Sequence, residues 1–494
     1  MQFIADSQLL ILNMQKIILT LLLLFLVYAD YAQIQVSSNH LFLQDKKGRP
    51  FFWLADTDWE LFHRLTREEA AQLIEVRKKQ GFNILQAVAL AEFNGLHQPN
   101  RYGDVPLMND DPAKLNATPG NNFKDTVQYD YWDNVDYVIK LAASKGMYIG
   151  LLPTWGDKVT LMWGDGPAVF NEQNAEVYAR TLAERYKDQW NIIWILGGDR
   201  PVVYKDKNGK EHDDSKIWAA MAKAIREVRG NDEFITYHIA GGENSTTQNI
   251  QNADWLSMNS FQSGHGSREA DSWNWVRRDL AYQPQKPTLD MEPCYEDHPV
   301  NPWDGKWTRA ARGYFTAYDV RARIYRDVFA GACGTTYGHH AVWQFLNTAL
   351  NPTINVGDTI IPWQKAIHAE AATEMQWLKN LMLSRPYFSR VYKEEIILSD
   401  TGSTYINRIE ACGNDDGAYA MIYLPQNMAV TIDMSKISGN KKNAWWYNVT
   451  NGKATKAAIK NHTTAETFTP PVTNKDWVLV IDDASKKYKE PGSL

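Results

Sequence analysis

Cysteine is scarce: Cys294, Cys333 and Cys412 are the only three in 494 residues. Three cannot build a disulfide framework, and none stands at zinc-ligand spacing from another. Positive charge is not in excess either. The 52 Lys+Arg face 58 Asp+Glu, a formal charge of −6, so there is no basic field to hold a nucleic-acid backbone and no nucleic-acid partner is expected. Also missing are an H-E-x-x-H helix motif, a G-x-S-x-G elbow and a Gly-rich dinucleotide loop after the first strand. The first two absences speak against zinc and serine-hydrolase chemistry, the third weakens an open doubly wound sheet as the structural alternative to a barrel, and no metal or cofactor is expected. What the chain has in quantity is aromatic side chains, 19 Trp, 24 Tyr and 17 Phe. Large cores use most of these, but Trp and Tyr also offer flat amphipathic surface suited to sugar rings.

The length exceeds one compact core and suits two domains. At the N-terminus Lys16 precedes an apolar run, Ile17–Tyr28, that ends near Ala32 before the chain turns polar at Gln33. This is the layout of a cleaved export signal, too short for a stable membrane span and with no cysteine behind it for a lipid anchor. Residues 1–32 are therefore expected to be a signal peptide, and the mature chain to be exported, most simply to a periplasm.

From Phe51 short apolar runs alternate with longer amphipathic ones. Strands are expected at Phe51–Asp56, Asn83–Leu90, Tyr148–Trp155, Asn191–Gly198, Phe234–Ala240, Trp255–Phe261, Pro287–Glu292 and Gly334–Trp343. Helices are expected at Arg67–Gln80, Tyr131–Lys145, Asn174–Lys187, Ser215–Val228 and Ala310–Phe329, the first opened by a Thr66/Glu69 capping box and stopped by Gly81. No clear helix joins strands five and six. The pattern fits a (β/α)₈ TIM barrel over 33–385. After Arg385-Pro386 short strand-like runs (Ile396–Leu398, Ala418–Tyr423, Ala429–Ile432, Ala444–Asn448, Thr467–Pro470, Trp477–Ile481) predict an antiparallel β-sandwich over 386–494. With no flexible linker at Ser384-Arg385-Pro386, the two parts are expected to share a fixed interface.

In such a barrel chemistry gathers at the carboxyl ends of the strands. Standing there are Asp56 and Asp58, Glu92 and Asn94, Trp155, Asp199, His238, Gln262, Tyr295, His339 and His340, and Trp343. Asp199 closes strand four and Glu292 closes strand seven, so they lie across the mouth as a pair able to flank one glycosidic bond. His339 and His340 are adjacent, so at most one can face the mouth. A histidine that hydrogen-bonds sugar hydroxyls or the nucleophile fits better here than a metal ligand.

Four blocks carry a family resemblance: Phe52-Trp53-Leu54-Ala55-Asp56-Thr57, Asn83-Ile84-Leu85-Gln86, Trp194-Ile195-Leu196-Gly197-Gly198-Asp199 and Tyr337-Gly338-His339-His340-Ala341-Val342-Trp343-Gln344. From about His40 to Asp483 the chain resembles glycoside hydrolase family 140, bacterial barrel enzymes with a small C-terminal β-sandwich labelled collagen-binding. The resemblance implies an apiosidase of the gut-Bacteroides type, cutting the bond between D-apiose and the galacturonic acid backbone of the pectin rhamnogalacturonan-II. It implies Asp199 as acid/base and Glu292 as nucleophile; from their places at the strand ends, Asp56, Asp58, Glu92, Asn94, Trp155, His238, Gln262, Tyr295, His339, His340 and Trp343 are expected around the substrate. Asp290 and Glu296 are rivals for the strand-seven role. A glycosidase for another plant linkage and a non-catalytic carbohydrate or matrix binder are the alternatives. Ionised Glu292 should raise Asp199, while Arg200, expected to turn to the opposite side, should leave that shift intact.

Overall fold

The computed structural model describes residues 33–494 apart from 161, 207, 306–308, 347–360 and 403. The expected export signal lies outside them. Among the described residues no helix is long and apolar enough to cross a membrane.

Eight parallel strands form the barrel: β1 (Trp53–Thr57), β2 (Ile84–Val88), β3 (Tyr148–Leu152), β4 (Ile192–Gly197), β5 (Ile235–His238), β6 (Asn259–Gln262), β7 (Thr288–Asp290) and β8 (Gly334–Tyr337). Six run in the order β5-β4-β3-β2-β1-β8, and β6 pairs with β7. The ring closes at two thinner seams, a bridge between Thr236 and Met258 and a hydrogen bond from Cys333 N to Thr288 O, 3.0 Å. Almost every strand residue is buried, because helices cover the outer face and side chains fill the inner one. Between β5 and β6 there is indeed no α-helix. Gly242–Ser245 turns back antiparallel on β6, and a short 3₁₀ turn, Thr246–Gln248, follows.

The helices begin where their sequences cap them. Thr66 and Glu69 form the expected capping box for α1 (Arg67–Lys79); Asp130 with Asp133 and Asn171 with Asn174 do the same for α2 (Tyr131–Ser144) and α3 (Glu172–Arg185). Gly81 stops α1 at φ +85°, where a Cβ would also meet Gln376 at 2.9 Å. Next come α4 (Ser215–Arg229) and α5 (Ser272–Leu280). The helix expected over 310–329 is two. Gly313 at φ +67° ends a short turn, Arg309–Arg312, and a Thr316/Asp319 capping box starts α6 (Ala317–Ala330). The last barrel helix is α7 (Glu370–Leu383).

The C-terminal strands are β9 (Arg390–Tyr392), β10 (Glu410–Asn414), β11 (Tyr419–Leu424), β12 (Val430–Asp433), β13 (Lys442–Tyr447), β14 (Ala454–Ala457), β15 (Ala465–Phe468) and β16 (Trp477–Asp483). A six-stranded antiparallel sheet, β9-β10-β11-β16-β13-β14, is covered by the ribbon β12-β15. Ile396–Leu398 is no strand: Glu394–Ile396 forms a 3₁₀ turn, and Ile397 makes a single bridge to Ile432. The central strands of the large sheet are buried on both faces, with alternate side chains in two different cores. Met421, Tyr423, Val478, Val480, Trp445 and Tyr447 join the barrel's core, while Ala420, Ile422, Leu424, Leu479, Ile481 and Trp446 form a second core under the ribbon. Polar contacts fix the seam. Arg321 of α6 grips Asp476 through two bonds of 2.8 and 2.9 Å, Tyr387 Oη donates to Cys333 O, and Tyr447 Oη donates to Trp377 O.

Candidate active site

The mouth is built where the strands stop. At the end of β4 the backbone passes through Gly197 (φ +87°), Gly198 (φ +114°) and Asp199 (φ +52°). A Cβ at Gly197 would stand 2.4 Å from His238 O, and one at Gly198 2.7 Å from Gly156 N. Only glycine fits both the left-handed turn and these approaches. The turn aims the Asp199 N–H at His238 Nδ1, 3.0 Å away. Because Nδ1 accepts, the neutral ring carries its proton on Nε2, and that atom stands 3.0 Å from Glu292 Oε2. His238 thus ties the two carboxylate-bearing loops together.

Glu292 has a second histidine. His265 Nε2 lies 3.1 Å from Oε1, and its Nδ1 accepts the Tyr295 N–H at 3.4 Å, which again leaves the proton on Nε2. Burial alone would push Glu292 up, but the two imidazole contacts outweigh it and hold the carboxyl at about 2. Asp199 goes the other way. Burial raises it and the Glu292 charge raises it further, against the downward pull of Arg200, His238 and the Trp163 N–H. Arg200 did not turn away as expected: its guanidinium lies 3.6 Å from Asp199 Oδ2 and donates to Asp199 O at 2.7 Å. The left-handed turn at Asp199 breaks the strand alternation on which that expectation rested. The Asp199 side chain keeps 23% of its surface exposed, so the carboxyl is open to the mouth.

Aromatic rings wall the pair. Trp59 and Trp155 flank His238 at 5.1 and 5.8 Å. Tyr295 Oη accepts from Trp59 Nε1 at 3.2 Å, and its ring occupies space that only Gly338 leaves open, since a Cβ there would be 2.1 Å from Cδ1. His265 stacks on His298 at 4.0 Å, and His298 in turn meets the edge of His340 at 4.7 Å. Buried polar atoms around this mouth that find no protein hydrogen-bond partner among the described residues include Trp155 Nε1, Gln262 Oε1, His340 Nδ1 and Trp343 Nε1. Desolvated donors and acceptors of this kind are costly unless a ligand meets them. Glu92, half-buried at the rim, is pushed up to about 8 by burial and then by the charges of Asp199, Asp157 and Glu60.

Other residues expected here stand elsewhere. Asp56 faces outward from β1 and pairs with Arg77 of α1. Asp58, fully buried beside it, is held well above the ordinary carboxylate range by burial and the Asp56 charge. His339 also leaves the mouth. β8 ends at Tyr337, so the histidines follow the strand rather than lying on it, and His339 Nδ1 accepts the Ala341 N–H. Asn94 is exposed in a turn (φ +50°) and bonds His97. The rivals to Glu292 are occupied: Asp290 accepts the backbone N–H groups of Ser263 and Glu292, and Glu296 accepts from Tyr337 Oη at 2.7 Å. Sequence reasoning left Trp59, Trp163, His265 and His298 out of the site. His265 and Trp59 each follow a strand end closely, which was the available signal; Trp163 and His298 had none.

A barrel with this paired mouth is a glycoside hydrolase. The model of the family described as "Apiosidase-like, catalytic domain" matches residues 37–389, and the chain belongs to that family. A second model, "Putative collagen-binding domain of a collagenase", matches residues 392–482. A solved glycoside hydrolase family 5 structure from Bacteroides vulgatus ATCC 8482 is 32% identical with a TM-score of 0.81, over 94% of this chain and 96% of that one. A second solved glycoside hydrolase is 33% identical with a TM-score of 0.78, over 93% and 99%. Among curated proteins, none matches.

Proposed function

We propose that the protein is an exported retaining glycosidase that cleaves the D-apiose–galacturonic acid linkage of rhamnogalacturonan-II. In this reading residues 1–32 are removed on export to the periplasm, 33–385 are the catalytic barrel and 386–494 the sandwich. The observation that carries the mechanism is the linked pair itself: His238 spans from the Asp199 N–H to Glu292 and His265 also meets Glu292, an arrangement that favours an ionised Glu292 beside a raised Asp199. The Glu292 carboxylate attacks the anomeric carbon while Asp199 gives its proton to the departing glycosidic oxygen. A glycosyl ester on Glu292 results, and its formation removes the charge that raised Asp199. Asp199 then takes a proton from water as that water attacks the anomeric carbon, and Glu292 leaves as carboxylate. The family match supports the linkage, and the partnerless Trp155, Gln262, His340 and Trp343 atoms supply groups for the hydroxyls of one sugar ring.

The test is digestion of purified rhamnogalacturonan-II, trimmed to expose the linkage, with the first product read by NMR. Release of the apiose-headed side chain with retained anomeric configuration is expected. An intact backbone linkage would refute the substrate. An inverted first product would refute the roles, because inversion needs carboxyl groups ~6.5–9.5 Å apart rather than ~5–5.5 Å.

A further inference from the structure

The Asp199 carboxylate receives one side-chain hydrogen bond that the reaction above leaves without a role. The indole Nε1–H of Trp163 donates to Oδ2 at 2.8 Å. Trp163 sits in the loop after β3, and that loop is tied down from beneath. Lys158 Nζ contacts Asp157 at 2.8 Å, Asp157 accepts the Gly166 N–H at 2.8 Å, and Val169 N donates to Lys158 O at 2.8 Å. One indole face lies over the Arg200 guanidinium, 4.1 Å from the ring centroid. Arg200 is itself fully buried, with Nε donating to Thr160 O at 3.1 Å. Even so, Trp163 is 41% exposed. With its N–H edge on Asp199 and one face on Arg200, the opposite indole face is the one that neither of these contacts engages.

We propose that this outer face of Trp163 is the platform for the sugar ring that departs with the glycosidic oxygen, and that the indole N–H orients Asp199 toward that oxygen. The inference rests on Asp199 as the proton donor. A general acid must come within ~2.6–3.2 Å of the oxygen it protonates, so the leaving ring begins one bond beyond Asp199's reach. Trp163 is the exposed ring at that spot. Its π face attracts the weakly positive C–H face of a pyranose, and the held indole loses little freedom on binding. The N–H favours ionised Asp199, so it also bears on where the free enzyme's acid loses its proton.

The experiment uses the full chain with ¹⁵N-labelled tryptophan, the Trp163 indole signal being assigned by its loss in Trp163→Phe. Oligogalacturonides are titrated in, with xylo- and manno-oligosaccharides alongside. The expected result is a shift of the Trp163 signal with oligogalacturonide and at least about tenfold weaker binding by Trp163→Ala. Signals unmoved by every saccharide, in a protein that cleaves the pectin, overturn the platform and leave the reaction standing. A shifted Trp163 in a protein that cleaves nothing does the reverse, and failure of both removes both. Kinetics separate the two parts of the proposal. Trp163→Ala should raise KM for the pectic oligosaccharide and not for a glycosyl fluoride, whose leaving group has no ring. Trp163→Phe should keep KM but move the alkaline limb of kcat/KM upward by up to about one pH unit, since it keeps a face and loses the donor. An unmoved limb would overturn the orienting role.

Discussion

Two histidine contacts, rather than distance from other charges, hold the Glu292 carboxyl low. His265→Phe tests it with little change of shape. The phenyl ring keeps the stack on His298, 4.0 Å away, and the contact with Tyr295 at 4.4 Å, while the donor 3.1 Å from Oε1 is lost. A hydrogen bond to a charged group is worth ~1.5–3 kcal/mol, or roughly one to two pH units for the carboxyl it favours. Glu292 should therefore move from about 2 to the ordinary carboxylate range. The assay is a ¹³C titration of the Glu292 carboxyl, which needs no substrate. Stability gives the sign independently. A carboxyl depressed in the folded state contributes stability that is present above its unfolded value of 4.5 and fades as pH falls toward about 2. The variant's deficit should be largest above pH 4.5 and vanish near pH 2. A folded His265→Phe whose Glu292 titrates with wild type would refute the reasoning.

Asp199→Ala should lose ~10²–10⁴-fold on the polysaccharide, keep turnover of aryl glycosides with good leaving groups, and be rescued by azide; near-full activity on the polysaccharide would place the proton donor elsewhere. Glu92→Gln should match wild-type activity below pH 7, because the native carboxyl at about 8 is already protonated there, and should flatten the pH profile above it. Gly338→Ala should lower both Tm and activity, since its Cβ would meet the Tyr295 ring at 2.1 Å; calorimetry and initial rates read this directly. Asp476→Ala should cost roughly 3 kcal/mol in denaturant unfolding, the low end for a broken buried pair because Glu374 stays on Arg321.

Much of this was legible in the chain. The eight strands, the Thr66/Glu69 cap, the missing helix after strand five and the two carboxylates at β4 and β7 all follow from periodicity and local capping, which act over a few residues. What stayed hidden depends on where regular structure stops. Gly334–Trp343 reads as one strand, yet its pairing with β1 ends at Tyr337, and beyond it His339 keeps only a single bridge to Glu296 before the chain turns. Strands β9, β10 and β14 are short or polar, and α5 and α7 carry no side-chain cap, so none of them announces itself. Trp163 reaches Asp199 across 36 residues of chain, and no local pattern reports such a contact.

The strand ends share one construction, and it explains why some acidic residues reach the mouth and their neighbours do not. A strand turns alternate side chains to opposite faces, so Asp290 and Glu292 would point the same way if β7 continued. It does not continue. Asp290, facing the α6 side where Arg323 lies, accepts the Glu292 N–H at 3.2 Å, and this short turn swings Glu292 inward onto His238 and His265. At β1 the outward Asp56 is fixed by Arg77, and Trp59 beyond it turns in against His238. At β8 the Tyr337 hydroxyl is held by Glu296, and Gly338 then yields its space to Tyr295. At β4 two glycines with positive φ do the same for Asp199. At β1, β4 and β7 a residue at or near the strand's end, or its backbone, is fixed, and the side chain turned into the mouth stands two residues beyond the strand. Removing an anchor should therefore displace the reactive group it precedes without unfolding the barrel, so that Asp290→Asn, which keeps an acceptor for the Glu292 N–H, is expected to stay far more active than Asp290→Ala. Equal losses in the two variants would show that the turn holds Glu292 without its side-chain anchor.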